Sequence, residues 1–132
     1  MSTEVKVMFF LSSEDLDPGI VTRVTKISPT DEWRKGDPIA SRNGLVRKDG
    51  RWEISTGYQE SLDAEVQLNS IYGTIVESRQ DLKELIEKHR LYAKFDVVIK
   101  IGADTPAFFL GKELLDLIHY LGAVIEVDLY VK

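Results

Sequence analysis

Val5, Val7, Phe9 and Leu11 alternate with Glu4, Lys6, Met8 and Phe10. A two-residue period of this kind marks a strand with one face buried. The same period returns at Phe95, Val97, Ile99 and Ile101, and again at Ile125, Val127, Leu129 and Val131. Between these strands the period lengthens to that of a helix. Asp17 followed by Pro18 predicts a capped start, with Ile20, Val24 and Ile27 on one face and an end at Ser28-Pro29. Ala64, Leu68, Ile71, Tyr72 and Ile75 form an apolar stripe at helical spacing, with Ser61 as the expected cap and Asp63 and Glu65 in the first turn. Ser78-Arg-Gln-Asp81 resembles a capping box, so the segment reads as two helices broken near Ser78, or one bent helix. Leu82, Leu85, Ile86 and His89 share the second face. Leu114, Leu117, Ile118 and Leu121 trace a further helix that Gly122 terminates. Phe108 to Leu110 reads as a brief return to strand.

Residues 30–57 interrupt this regularity. Residues 32–35 read as a short extended piece, and Gly36-Asp37-Pro38 and Asn43-Gly44 are turn signals. Asp49-Gly50 is the strongest hairpin signal in the chain. A two-residue loop there pairs Lys48 with Arg51, Arg47 with Trp52, Val46 with Glu53 and Leu45 with Ile54, and sets Arg47 against the Trp52 ring.

Three half-buried strands interleaved with helices predict an α+β fold: one domain over residues 1–132, an antiparallel or mixed sheet, and helices packed on one face. A ferredoxin-like sandwich or an elaborated relative fits the order of elements. The length of 132 residues agrees with a single domain. There is no cysteine, which excludes disulfides, thiol nucleophiles and iron–sulfur ligation. No apolar run approaches the ~20 residues of a membrane span, and the start lacks a secretory pattern. The expectation is a soluble cytoplasmic protein without a membrane role.

Charge changes the picture in one place. The net charge is −5, from 17 basic and 22 acidic residues, which argues against general nucleic-acid binding. Residues 34–51 nevertheless hold six basic side chains against two acidic ones, a balance of +4 that leaves −9 for the rest. This island is either a solvated loop or a site for an anion or acidic partner. It lies beside both tryptophans, and Trp and Arg dominate protein–protein hot spots. Trp33, Arg34, Lys35, Asp37, Arg47 and Trp52 are therefore the candidate binding residues.

Catalytic signals are lacking. His89 and His119 have no ligand spacing, and no phosphate loop, nucleophile elbow or zinc signature is present. No catalytic residue, metal ligand or cofactor is assigned. Glu126 and Asp128 read as a solvated strand face.

The segments EDLDPGIVTRVTKISPT, EWRKGDPI, GRWEISTGYQESLD and TPAFFLGKELLDLIHYLGAVIEVDLYV together resemble the bacterial domain-of-unknown-function 4279 family over nearly the whole chain. The W-R-K-G-D segment and the closing E-V-D-L-Y are the most specific parts. The resemblance implies a small bacterial protein folding as one unit, and it carries over no functional residue.

The leading expectation is a non-catalytic interaction module, regulatory or of immunity type, that uses residues 33–58 to hold a protein partner or a small anionic ligand, as a monomer or homodimer. One alternative is an enzyme on an anionic metabolite, with Arg34 or Lys35 as anchor and Asp37 as base. Another is RNA binding on an open sheet face bearing Met8, Phe10 and Tyr130, unless those aromatics lie beneath residues 30–57 or a dimer partner.

Overall fold

A computed structural model describes residues 1–132. The strands are β1 (Glu4–Ser13), β2 (Asp31–Trp33), β3 (Gly50–Ser55), β4 (Gln59–Glu60), β5 (Tyr92–Ile101) and β6 (Val124–Val131). The helices are α1 (Gly19–Thr25), α2 (Ala64–Ile75), α3 (Arg79–His89) and α4 (Lys112–Leu121). The sheet runs β2-β3-β1-β5-β6, with β4 added beside β1. It is mixed: every pair is antiparallel except β5–β6.

The α+β expectation holds. The order β2-β3-β1-β5 is a split strand–helix–strand arrangement, because β3 inserts between the two strands that α1 connects. The α4–β6 unit extends it. A parallel pair needs a crossover, and α4 supplies one between β5 and β6.

The alternation along β1 and β5 directs Val5, Val7, Phe9, Leu11, Phe95, Val97 and Ile99 toward the helices, where they are buried. Leu68, Ile71 and Ile75 of α2, Leu82 and Leu85 of α3, and Leu114 and Leu117 of α4 close this layer. The helices do not reach the far edge of the sheet, where the inward row of β6 stays exposed at Val127, Leu129 and Val131.

Several local expectations change. Asp17 does cap α1, its Oδ1 accepting the Gly19 N–H at 3.1 Å. The buried face of α1, however, is Val21 and Thr25, and Val24 is exposed. The helix ends at Thr25 rather than at Ser28-Pro29. The Thr25 hydroxyl bonds Val21 O and the Ile27 N–H, and Lys26 turns left-handed.

The cap of α2 is Asp63, accepting from Glu65 N–H at 3.0 Å, while Ser61 holds the backbone of Asp63. Ser78 makes no side-chain cap to α3. A single 3₁₀ turn, Val76–Ser78, carries the chain from α2 into α3, so the backbone itself supplies the bonds a cap would make. Phe108 to Leu110 is not a strand; beside it only Ala107 forms an isolated bridge, to Asp63. Gly122 caps α4 at φ 64°, as its position implies.

The predicted Asp49-Gly50 hairpin is absent. Gly50 begins β3, whose partners are β1 and β2, so Trp52 lies opposite Leu11 and Glu32 rather than Arg47. Gly50 is required for closeness instead of turning: a Cβ there would sit 2.2 Å from the Leu16 carbonyl oxygen. The hairpin-like ribbon lies earlier. Gly36 N–H donates to Arg47 O, Arg47 N–H to Asp37 O, and Ile39 N–H to Leu45 O. Its tip is the Asn43-Gly44 turn, with Gly44 at φ 81°.

Candidate functional site

The ribbon of residues 36–47 folds over one end of the open sheet face and borders a solvent-open cleft of about 660 Å³. Trp33, at the end of β2, is in register with Arg51 of β3, so both side chains stand on the open face. Phe10 of β1 and Tyr92 of β5 share that face, their rings 6.1 Å apart. The ribbon contributes Ile39, Leu45 and Val46 as the apolar wall and Arg42 and Arg47 as charges, and Lys48 just after it adds a third.

The centre of the cleft is a column of alternating rings and guanidinium groups. The Arg51 guanidinium lies 3.6 Å from the Phe10 ring centre and 5.5 Å from that of Trp33. Arg47 lies 3.7 Å from the Trp33 ring centre. These are cation–π distances, at which each guanidinium is attracted to the ring it faces. Arg51 is also ion-paired to Glu53 at 2.5 Å. Arg42, Arg47 and Lys48 have no ion-pair partner, and Asp49 is the only carboxylate among the lining residues. Trp33 Nε1 and Arg51 Nε are buried donors without a hydrogen-bond acceptor, and a donor left that way costs about 1–3 kcal/mol.

The six residues picked out in the sequence separate into three groups. Trp33 and Arg47 meet in the column. Trp52, one residue beyond Arg51, points to the opposite face; it is fully buried against Phe9 and donates its indole N–H to Thr22 Oγ1 at 3.1 Å. Arg34 and Lys35 turn to the loop before α1, bonding Asp17 at 2.8 Å and Glu14 at 2.5 Å. The hydrogen bond and charge of Lys35 hold the Glu14 carboxyl below its ordinary value, and Glu14 in turn raises Lys35. Asp37 closes a turn by accepting the Arg34 N–H at 2.8 Å.

Phe10, Arg51, Tyr92 and Arg42 complete the cleft and lie outside the six candidate binding residues: Phe10 stood on the face considered for RNA, Arg42 and Arg51 in the basic island, and only Tyr92 carried no functional expectation. The only signal for Phe10 was an aromatic at a position expected to be wet. It lies under the Arg51 guanidinium, beside the ribbon that closes this cleft, and is only 7% exposed.

On the same open face Asp96, Glu126 and Asp128 bring carboxylate oxygens within 4.8 Å of one another. No sequence spacing announces this group, because β5–β6 pairing assembles it. Lys94 bonds Glu126, and that hydrogen bond raises the Lys94 pKa. His89 and His119 are exposed in the last turns of α3 and α4. No helix is long and apolar enough to cross a membrane.

In comparison with known proteins, residues 3–132 match the family described as Domain of unknown function (DUF4279). No curated protein matches the chain. No solved structure matches it.

Proposed function

Starting from a chain that belongs to the DUF4279 family over residues 3–132, we propose that it is a non-catalytic binding module whose cleft takes a small anionic ligand with a planar portion. One observation carries the reading: the Phe10–Arg51–Trp33–Arg47 column in a cleft whose Arg42, Arg47 and Lys48 have no ion-pair partner. Rings and guanidinium faces favour a planar group, and the cations without ion-pair partners, Arg42, Arg47 and Lys48, favour an anion. The volume lies within the roughly 300–1,000 Å³ range of small-molecule sites.

A small ligand fits better than a protein hot spot, because the ribbon makes the site concave. Binding fits better than catalysis, because the cleft offers cations and rings but no paired acid and base. Asp37 is spent on its turn and lies outside the lining residues. The covered Phe10 ring supports this reading over base stacking on an open sheet. A cysteine-free composition suits a reducing cytoplasm.

The test is thermal shift and calorimetry with three probes: adenosine monophosphate, citrate and inorganic phosphate. The planar anion should bind best. A ligand at ten times its Kd adds about 1.4 kcal/mol of stability, a rise in Tm of about 5 °C for a domain of this size. Arg47→Ala and Trp33→Ala should remove the shift in chains that still fold. Absence of any shift with all three probes, or a shift that survives both substitutions, overturns the reading.

A further inference from the structure

The two edges of the sheet are built differently. At one end β2 is three residues long and carries Asp31 and Glu32, and short charged edges resist pairing. At the other end β6 offers eight residues, Val124–Val131, with no Gly, Pro, Lys or Arg among them. No other segment bonds to its outer side.

The Lys132 N–H donates to Ile101 O. Backbone groups alternate sides along a strand, so those of Val127, Leu129 and Val131 face outward from the sheet. The side chains of the same three residues form the apolar row that the helices leave uncovered, exposed by 39%, 61% and 82%. Free backbone groups and free apolar side chains therefore coincide on the same three residues.

From this we infer that the protein forms a two-fold homodimer by antiparallel pairing of β6 with β6 of a second copy, joining the two sheets. Charge selects the occupant and the register. A strand that pairs with its own copy about a two-fold axis meets itself antiparallel. Partners opposite one another share a face, so the centre of the pairing decides which charges meet. Centring on Val127 sets Glu126 against Asp128 twice. Centring on Asp128 sets that carboxylate against its own copy. Like charges directly opposed are destabilising.

Centring on Leu129 avoids both. It places Leu129 against Leu129, Val127 against Val131, Asp128 against Tyr130, and Glu126, which pairs with Lys94 in its own chain, against the copy's Lys132, which pairs with Glu4 in its own. It is the longest register without opposed like charges, and it pairs the apolar row with itself. The strand is thus complementary to a second copy of this chain.

Sedimentation velocity from low micromolar to millimolar concentration tests the inference. The wild type should approach twice the 15.0 kDa chain mass at the upper end. Leu129→Lys should hold the chain as a monomer with an unchanged circular dichroism spectrum. A second arm probes the register without touching the apolar row: Glu126→Lys alone and Lys132→Glu alone should each weaken association at least tenfold, and the two together should restore it. A wild type that stays monomeric at millimolar concentration overturns the dimer. So does a dimer that persists in Leu129→Lys. A double swap no better than the singles overturns the register. None of these substitutions touches the cleft, so failure here leaves the anion reading standing.

Discussion

Trp33 and Trp52 show how far a single residue can be read. Both are large, both flank the basic island, and both were candidates for the same groove. The strand period separates them: Trp33 opposes Arg51, and Trp52 follows Arg51 by one residue, so the two indoles face opposite sides of the sheet. What the sequence lacked was the pairing of β2 with β3, without which neither face is defined. The distinction has a measurable consequence. Trp52→Ala empties a fully enclosed core site and should cost about 3–5 kcal/mol in urea denaturation. Trp33→Ala, on a partly buried ring, should cost less, about 1–2 kcal/mol, while removing anion binding. Equal losses in the two variants would contradict the assignment of faces. Gly50 carries a second prediction at this scale. Gly50→Ala drives a Cβ to 2.2 Å from Leu16 O, and backbone cannot yield as a side-chain tip can. The expected loss is about 1–3 kcal/mol, read from the urea midpoint.

The ribbon of residues 36–47 was half legible as an element. The turn signals were present, and Asn43-Gly44 and Asp49-Gly50 are both hairpin dipeptides. Local chemistry does not rank them. The contact of Gly50 beneath Leu16 and the register of β3 with β1 decide that the chain turns at Asn43-Gly44. The base of the ribbon is strapped to the loop before α1 by Arg34–Asp17 and Lys35–Glu14. The Glu14 carboxyl is held below its ordinary value by the Lys35 hydrogen bond and charge, so its contribution is complete above the unfolded value, about 4.3. That contribution is lost as pH falls through the lower folded value. Lys35 is displaced the other way, so its share is intact below the unfolded lysine value and goes only as pH rises through the higher folded one. Between these limits the Lys35–Glu14 pair does not titrate. Tm should therefore fall more gently with acid in Glu14→Gln than in the wild type, and the two curves should run parallel between pH 5 and 9. Identical acid limbs would show that the Lys35–Glu14 pair is thermodynamically silent.

On the scale of the whole molecule, what was legible followed from periodicity, and what was hidden followed from pairing. Alternation at β1, β5 and β6 was enough for an α+β sheet with helices on one side. The cleft draws Phe10, Trp33, Arg51 and Tyr92 from four different strands. No window of sequence contains them together, and only the order β2-β3-β1-β5 brings them to one end of one face. The same order concentrates Arg42, Arg47, Lys48 and Arg51 against a single Asp49 in a protein whose net charge is −5.

That contrast yields a prediction which separates site from scaffold. The core is apolar and the cleft is open to solvent, so added salt screens the second far more than the first. The screening length falls from roughly 10 Å at 0.1 M salt to about 3 Å at 1 M. Across that range the affinity for adenosine monophosphate should fall at least about tenfold, because cations without ion-pair partners act through the solvent. The Tm of the unliganded chain should change little, since exposed ion pairs such as Arg34–Asp17 contribute at most about 1 kcal/mol. Arg42→Gln and Lys48→Gln together should flatten the salt dependence of binding while leaving the Phe10–Arg51–Trp33–Arg47 column in place. A steep salt dependence in that double variant would move the anion contact from Arg42 and Lys48 to Arg47 and Arg51 of the column, where Arg51 already shares its charge with Glu53.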